Sequence, residues 1–303
     1  MGGLRWHCHS EPCVGRWPAP RFGGTAVVAD GGVLKNTIVS SGGTLEIWNG
    51  GVGLNGTIAE GGIGVVSSGG TELVSDGSAS GLVLQTGALA LVQAGGTAMD
   101  FTASGAVRIA TYGSGNVSAV TSNLRLTAGA WQDVGVEWDT KSYGPALAND
   151  TRIDAGSYQL VVSSGIASRS VASAGGTIRI DSGGLGREAH VLTGGIAVVS
   201  GGGVVEGGVI DAGGTLRGLS GALLRGNVVG SGVVSGGTID AQGKLEISSG
   251  GSVQAPVIAS GGSLQVDQGG KLLGVANISR VVRQHWIVAL AVPSIWAEMG
   301  SAG

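Results

Sequence analysis

The chain has 303 residues, of which 62 are glycine, and its formal net charge is −3. So small a net charge excludes the strong field that would favour nucleic acid or an anionic membrane as a partner, and the glycines follow no Gly-X-Y period typical of collagen. Hydrophobic residues make up 42% of the chain, which is too many for a disordered segment.

Residues 1–22 share no pattern with the rest of the chain, and we expect them to be a disordered leader that lies outside the repeats. His7, Cys8, His9 and Cys13 fall here. Their spacing fits no usual zinc pattern, so no metal site is predicted. The leader also has no apolar run of about 7 to 15 residues, which a secretory signal peptide would need.

Residues 23–277 contain Gly-Gly pairs at a regular spacing. Successive pairs are separated alternately by eight and eleven residues, as at Gly23, Gly31, Gly42, Gly50 and Gly61. The sum is a period of about 19 residues, which is typical of a solenoid in which each repeat forms one coil. The sequence therefore predicts an all-β, parallel β-solenoid of about 13 coils, about 60 Å long at roughly 4.8 Å per coil.

The segments between glycine pairs alternate apolar and polar residues with a period of two, which predicts strands. Ile47, Ile180 and Val266 are expected to point inward. Each coil is predicted to be a strand, a turn, a looser segment and a second strand. Glycine suits the corners because it reaches positive φ without a Cβ penalty. We expect local hydrogen bonds to cap these turns, made by the aspartates at 30, 76, 154, 181, 211 and 240 and by Asn49.

Three segments depart from this pattern. Residues 98–170 are degenerate repeats, and 135–150, the longest stretch without a glycine pair, is predicted to be a protruding loop. Residues 278–303 are a non-repeat tail or cap. Their apolar run, Trp286 to Val292, is too short for a helix that spans a membrane.

The recurring SSGGT and SGG units, as in VSSGGTLEIWNGG at 39–51 and VSSGGTELVSDG at 66–77, resemble the passenger repeats of self-associating autotransporter adhesins of Gram-negative bacteria. The resemblance covers about residues 23–275. It implies a right-handed parallel β-helix, displayed at the cell surface by a C-terminal barrel in the outer membrane. It also implies adhesion, self-association with like passengers, biofilm formation and binding to a host or abiotic surface. No barrel pattern is found in these residues, so we expect the chain to be a passenger segment of a longer, membrane-anchored protein.

Several threonines follow glycine pairs, and we expect them at equivalent, exposed strand starts: Thr44, Thr71, Thr97, Thr177 and Thr215. Heptosyltransferases modify repeat Ser and Thr in the family that the chain resembles. The resemblance therefore implies a heptosyltransferase as a partner and these threonines as O-glycosylation sites.

Two other functions are alternatives to an adhesin. The first is a passive stalk that presents another domain, which would differ from an adhesin in not associating with itself. The second is a polysaccharide-acting enzyme that uses Asp181 and Asp211 with Arg179 and Arg217, but no other His, Lys or Tyr supports these residues and turn caps explain the aspartates. The G-x-G-x-x-G match at 51–56 lacks a βαβ unit. No catalytic residue, cofactor or nucleic-acid partner is predicted.

Overall fold

The computed structural model describes residues 5–8, 12–13, 24–59, 62–135, 144–154 and 156–278. All regular structure in these ranges is β-strand, and nothing in them forms an apolar helix of the length that a bilayer crossing needs. The leader contributes two backbone strands. Arg5–Cys8 pairs in parallel with Thr25–Val28, and Pro12–Cys13 pairs with Val33–Lys35.

The chain winds into a solenoid with three faces, here called A, B and C in the order in which each coil visits them. Separate strands form face A at Thr25–Val28, Thr44–Ile47, Ile63–Val66, Leu82–Leu84, Thr102–Ser104, Arg125–Thr127, Arg152–Ile153, Val171–Ala172 and Ser263–Val266. Those of face B are Val33–Lys35, Val52–Leu54, Thr71–Val74, Leu89–Val92, Arg108–Thr111, Trp131–Val134, Tyr158–Val161, Thr177–Ile180, Ile196–Val199, Ser252–Gln254 and Lys271–Leu273. Those of face C are Ile38–Val39, Thr57–Ile58, Ser78–Ser80, Thr97–Met99, Ala119–Ser122, Ala146–Asn149, Gly165–Ser168, Val257–Ile258 and Asn277–Ile278.

Four longer strands bend around corners without interruption. Leu185–Val191 and Val204–Ile210 run from face C to face A, while Thr215–Gly230 and Val233–Ile247 cross faces B, C and A in turn. With these strands included, each face has 13 rungs between residues 24 and 278. The described ladders between coils are parallel. The predicted all-β parallel solenoid, with about 13 coils and a spacing near 19 residues, is confirmed.

The two glycines of a pair have different roles. Gly69 adopts a φ of 76°, in the left-handed region where a Cβ is penalised. Gly70 is needed for close approach, because a Cβ there would lie 2.5 Å from the carbonyl oxygen of Ile47 in the preceding coil. One glycine therefore turns the chain and the next lets consecutive coils stack. Only the turn at positive φ was predicted from the sequence.

Each coil has three strands, so the predicted two-strand coil was wrong. The long arm between glycine pairs is divided by a single residue at positive φ, such as Asn36 at 50° or Asn55 at 57°. Asn tolerates this conformation better than most residues with a side chain. The chain therefore turns a third corner without glycine, and what the sequence suggested was a looser segment is a corner between two short strands.

The position of this third corner changes along the solenoid. In the first coils it lies between faces B and C, at Asn36 and Asn55. From Asp100 to Glu188 it lies between faces C and A, and at Ala255 it has returned to the corner between B and C. The glycine pairs also occupy different corners in different coils, so pairs that look alike in the sequence precede strands of different faces.

The core is a continuous stack of aliphatic side chains from all three faces. Ile47 and Ile180 are fully buried and Val266 is 6% exposed, which confirms that these three side chains point inward. Burying a side chain of this kind contributes about 1.5 to 3 kcal/mol relative to leaving it exposed. Because one layer of such residues repeats in each coil, the apolar core runs the length of the solenoid.

Several polar residues interrupt this core, among them Glu72 and Gln132. Glu72 is fully buried in the strand Thr71–Val74. Further along, the side chain of Gln132 donates to Thr121 Oγ1 at 2.7 Å, and its Oε1 accepts from Thr151 at 3.1 Å and from Gln159 at 2.8 Å. The hydrogen bonds around Gln132 reduce the penalty of burying these side chains, whereas Oε2 of Glu72 and Oε1 of Gln159 have no partner.

The prediction of a loop at 135–150 was wrong for residues 146–149. Residues 136–143, which include Trp138 and Tyr143, lie outside the described residues, whereas Ala146–Asn149 is a strand of face C. Ala146 and Ala148 are buried in the core, so this part keeps the period-two pattern despite its lack of glycine pairs. The tail beyond Ile278, with its run from Trp286 to Val292, also lies outside the described residues.

Candidate functional site: the outward columns of the solenoid

Outward side chains on neighbouring coils fall directly above one another, so the surface is organised in columns. On face C, six consecutive rungs place an aliphatic residue at the same outward position. This aliphatic column consists of Val120, Leu147, Ile166, Leu185, Val204 and Leu223. All six side chains are half-buried, and together they form a continuous apolar stripe along face C.

A second column lies two residues further along each strand of face C and carries charges of alternating sign. This charged column consists of Arg187, Glu206, Arg225 and Asp240. Arg187 Nε lies 2.8 Å from Glu206 Oε2, and Arg225 Nε lies 2.8 Å from Asp240 Oδ2. Arg187 and Glu206 are 50% and 40% exposed. An exposed pair of this kind adds only about 0.2 to 1 kcal/mol to stability, so the column contributes little to folding.

The corner between faces C and A adds a third column of polar residues, each at positive φ. Asn123 Nδ2 donates to Asp100 Oδ1 at 2.5 Å, and Arg169 makes two hydrogen bonds of 2.8 Å to the carboxylate of Asp150. The hydrogen bond from Arg169 lowers the pKa of Asp150, and its positive charge adds to the effect. Side-chain bonds between coils therefore hold this corner in register.

Face A carries a cluster of ionisable residues whose contacts the sequence did not predict. Arg152 Nε lies 3.1 Å from Asp154 Oδ2, and Ser173 also donates to Asp154. Two coils further on, His190 Nε2 lies 3.0 Å from Asp211 Oδ2. The statement that no histidine supports Asp211 was therefore wrong. The parallel register accounts for this contact, because His190 pairs with Val209 on the next coil and Asp211 lies two residues beyond Val209, on the same side of the strand.

The two aspartates of the enzyme alternative, Asp181 and Asp211, are not brought together. Asp181 lies at the end of a face B strand beside Arg179, 3.0 Å away, and accepts from Ser200. Partial burial opposes ionisation of Asp181, but the hydrogen bonds of Arg179 and Ser200 outweigh it and lower its pKa. Asp211 lies on face A beside His190 instead. Within the described ranges, no group of three potential metal ligands is found.

Turn capping explains some of the recurring aspartates and not others. Asp240 Oδ1 accepts the backbone N–H of Gln242 at 3.0 Å, as predicted for a cap. Asp154 and Asp181 instead bond to side chains on their own strand and on the next coil. In a solenoid the coil above is as close as the turn itself, so these carboxylates tie coils together.

The five threonines named above do begin strands, and all five are half-exposed. They are not equivalent, however. Thr44 lies on face A, Thr97 on face C, and the others on face B: Thr71, Thr177 and Thr215. The expectation of one common position was wrong because the glycine pairs change corners along the chain.

The glycines of the G-x-G-x-x-G match have structural roles around Glu72. A Cβ at Gly53 would overlap Oε2 of Glu72 and Cδ1 of Ile47. The backbone N–H of Gly56 donates to Oε1 of Glu72 at 2.9 Å. The absence of side chains at these two positions makes room for a buried carboxyl group. The sequence signal for this arrangement is a strand glycine that pairs with an inward acidic residue on the next coil.

The fold and its surface define a parallel β-solenoid with columns of outward side chains. No protein-family model and no curated protein matches the chain. Among solved structures, it is similar to the crystal structure of the TibC-catalysed, hyper-glycosylated TibA 55–350 fragment. The sequence identity is 22% and the TM-score is 0.48, and the match covers 91% of this chain and 100% of that one.

Proposed function

We propose that this chain is an adhesive passenger segment of the autotransporter type, which associates with copies of itself at the cell surface. The observation that carries the proposal is the charged column on face C. Its signs run positive, negative, positive, negative over four consecutive rungs. When the four charges are read in the opposite direction along the solenoid, each position carries the opposite sign. Two antiparallel copies of the column therefore place opposite charges against each other.

The geometry of the pairing follows from this order. A two-fold axis that runs parallel to the strands, between the rungs of Glu206 and Arg225, brings two solenoids face to face and antiparallel. It places Glu206 against Arg225 of the second copy, and Arg187 against Asp240 of the second copy. The same operation places Val204 of the aliphatic column against Leu223 of the second copy. A two-fold interface of this kind is closed and isologous.

Binding strength in this arrangement comes from repetition. Each exposed charge pair is weak and screened by salt, but several rungs engage together, so that the second and later contacts form at high effective concentration. Rows of Ser, Thr, Asn and Gln along the same faces add polar contacts. On cells, the expected outcomes are aggregation, biofilm formation and adhesion to a host or abiotic surface.

Charge reversal tests the pairing. R187E/R225E makes the column wholly negative, and E206R/D240R makes it wholly positive. In sedimentation of the purified chain at rising concentration, wild type is expected to dimerise, each variant alone to stay monomeric, and an equimolar mixture of the two variants to associate again. Wild type that stays monomeric would contradict self-association and favour a passive stalk. Variants that associate as wild type does would place the interface elsewhere.

A settling assay addresses the cellular function. Cells that display residues 1–303 on a carrier barrel are expected to settle faster than cells with the empty barrel. Cells displaying the wholly negative variant should settle as slowly as the empty-barrel cells, and should co-settle with cells displaying the wholly positive variant. High salt should slow settling of the wild type, because it screens the exposed pairs.

Glycosylation by a heptosyltransferase is a further part of the proposal. The half-exposed hydroxyls at strand starts support it, and Thr44, Thr71, Thr97, Thr177 and Thr215 are the acceptors that we propose. Intact mass of the chain produced with the transferase should show heptose increments that are absent without it. Replacing all five threonines by serine should keep the increments, and replacing them by valine should remove them. Unchanged mass in every case contradicts these acceptors.

A further inference from the structure

A pocket of about 450 Å³ lies at the corner between faces B and C, where three consecutive face B strands end. Its walls come from the residues that follow Thr71–Val74, Leu89–Val92 and Arg108–Thr111. The turn from Ser114 to Val117 closes one side and is held by two backbone hydrogen bonds of 3.0 Å between these residues. The volume falls in the range of roughly 300 to 1,000 Å³ that is typical of small-molecule sites.

The polar groups in the pocket are arranged by their own hydrogen bonds. Gln93 Nε2 donates to the hydroxyl of Tyr112 at 2.6 Å. This bond leaves Oε1 of Gln93 as an acceptor and the Tyr112 O–H as a donor. Asp76 has a φ of 49° at the corner and adds a carboxylate, for which no ion pair is found among the described side chains. Ser75 and Ser114 complete the lining.

The same pocket has an apolar side, formed by the ring of Tyr112, Ala94 and Val117, of which Val117 is 50% exposed. Aromatic rings commonly combine an apolar surface with a polar tip in such sites. The ligand that matches this lining has hydroxyl groups along one edge and an apolar C–H face on the other.

We propose that this pocket binds a neutral sugar, with a pyranose ring placed against Tyr112 and its hydroxyls bonded to Asp76 and Gln93. Among the described residues that line the pocket there is no Lys or Arg, which disfavours anionic sugars, and their single carboxylate is too few ligands for a metal ion. The site lies on three coils N-terminal to the charged column of face C. It is therefore independent of self-association, and it gives the chain a second binding activity toward glycans.

The test is a titration of the full chain with methyl glycosides of glucose, galactose, mannose and N-acetylglucosamine, followed by NMR chemical shifts. At least one glycoside is expected to bind saturably. Y112A and Q93L should each weaken binding at least tenfold, and Y112F, which keeps the ring, should weaken it less than Y112A. Q254L is the matched control, because Gln254 is exposed on face B of a distant coil, and it should bind as wild type does.

Binding that is equal in Q93L, Y112A and wild type would place the sugar elsewhere and overturn the proposal. So would the absence of any saturable shift with all four glycosides. Saturable binding of ethanolamine in place of the glycosides would also overturn it, since this would show a site for a cationic amine at Asp76. Circular dichroism of each variant, with Y112F as the mildest change, checks that the solenoid is still folded.

Discussion

Glu72 accepts a hydrogen bond of 2.9 Å from the backbone N–H of Gly56, and its other carboxyl oxygen has no partner within the solenoid core. Burial raises the pKa of Glu72 to about 8, although the Gly56 hydrogen bond opposes this shift. The carboxyl group is therefore protonated at neutral pH. It is a neutral polar group in an apolar stack, and Gly53 leaves the space in which it sits.

The first prediction concerns the pH dependence of stability. Because the folded-state pKa of about 8 lies above the ordinary value of 4.5, the unfolded chain loses this proton first as pH rises. Stability should therefore fall from about pH 4.5 to pH 8. E72Q removes the titration and should stabilise the chain by about 3 kcal/mol at pH 7, with little effect at pH 4. Urea unfolding at pH 4, 7 and 9 measures this.

E46Q is the control for this prediction, since Glu46 faces outward on face A. It should leave the pH dependence unchanged. If E72Q retained the same loss of stability between pH 4 and pH 9 as wild type, Glu72 would not be the titrating group.

The second prediction concerns the space above Glu72. G53A adds a methyl group that overlaps both Glu72 and Ile47, and overpacking of this kind costs typically about 1 to 3 kcal/mol. In the E72A background, the clash with the carboxyl group is gone and the cost of G53A should be smaller. A double-mutant cycle from thermal unfolding measures the coupling. Additive effects would show that Gly53 and Glu72 do not share this space.

The third prediction concerns Glu188, an exposed corner residue with a φ of 50°. Asn tolerates positive φ better than Glu, whereas a β-branched residue is strained there. E188N should stabilise the chain by about 0.5 to 1 kcal/mol, and E188V should destabilise it by about 1 to 2 kcal/mol. Melting temperatures of the two variants measure the difference, and a higher value for E188V would contradict the corner conformation.

The fourth prediction concerns the buried network around Gln132. Q132L deprives Thr121, Thr151 and Gln159 of a partner, and each unsatisfied buried group costs about 1 to 3 kcal/mol. We expect Q132L to destabilise the chain by several kcal/mol. Q132L/Q159L removes one orphaned group and should recover part of this loss in urea unfolding. A double variant less stable than Q132L would show that Gln159 is not held by Gln132.

The sequence predicted the solenoid because its strongest signals are local. Alternation placed Ile47 and Ile180 inward, and glycine spacing fixed the coil length. The third corner was missed because Asn36 uses a conformation that composition alone does not mark. The charged column was missed for another reason: Arg187 and Glu206 are 19 residues apart, and only the register of stacked coils shows that they touch. The inward position of Glu72 conflicts with the usual rule for acidic residues, so only packing could reveal it.

The drift of the non-glycine corner, from Asn36 between faces B and C to Asn123 between faces C and A, bears on how such a protein can lengthen. A duplicated unit of about 19 residues adds one coil to the solenoid wherever it is inserted. The face on which its hydroxyl groups lie, however, depends on which segment was duplicated. Tandem duplication can thus move surface side chains from one face to another while the rise per coil stays constant. An alignment based on the glycine pairs will therefore match side chains that lie on different faces.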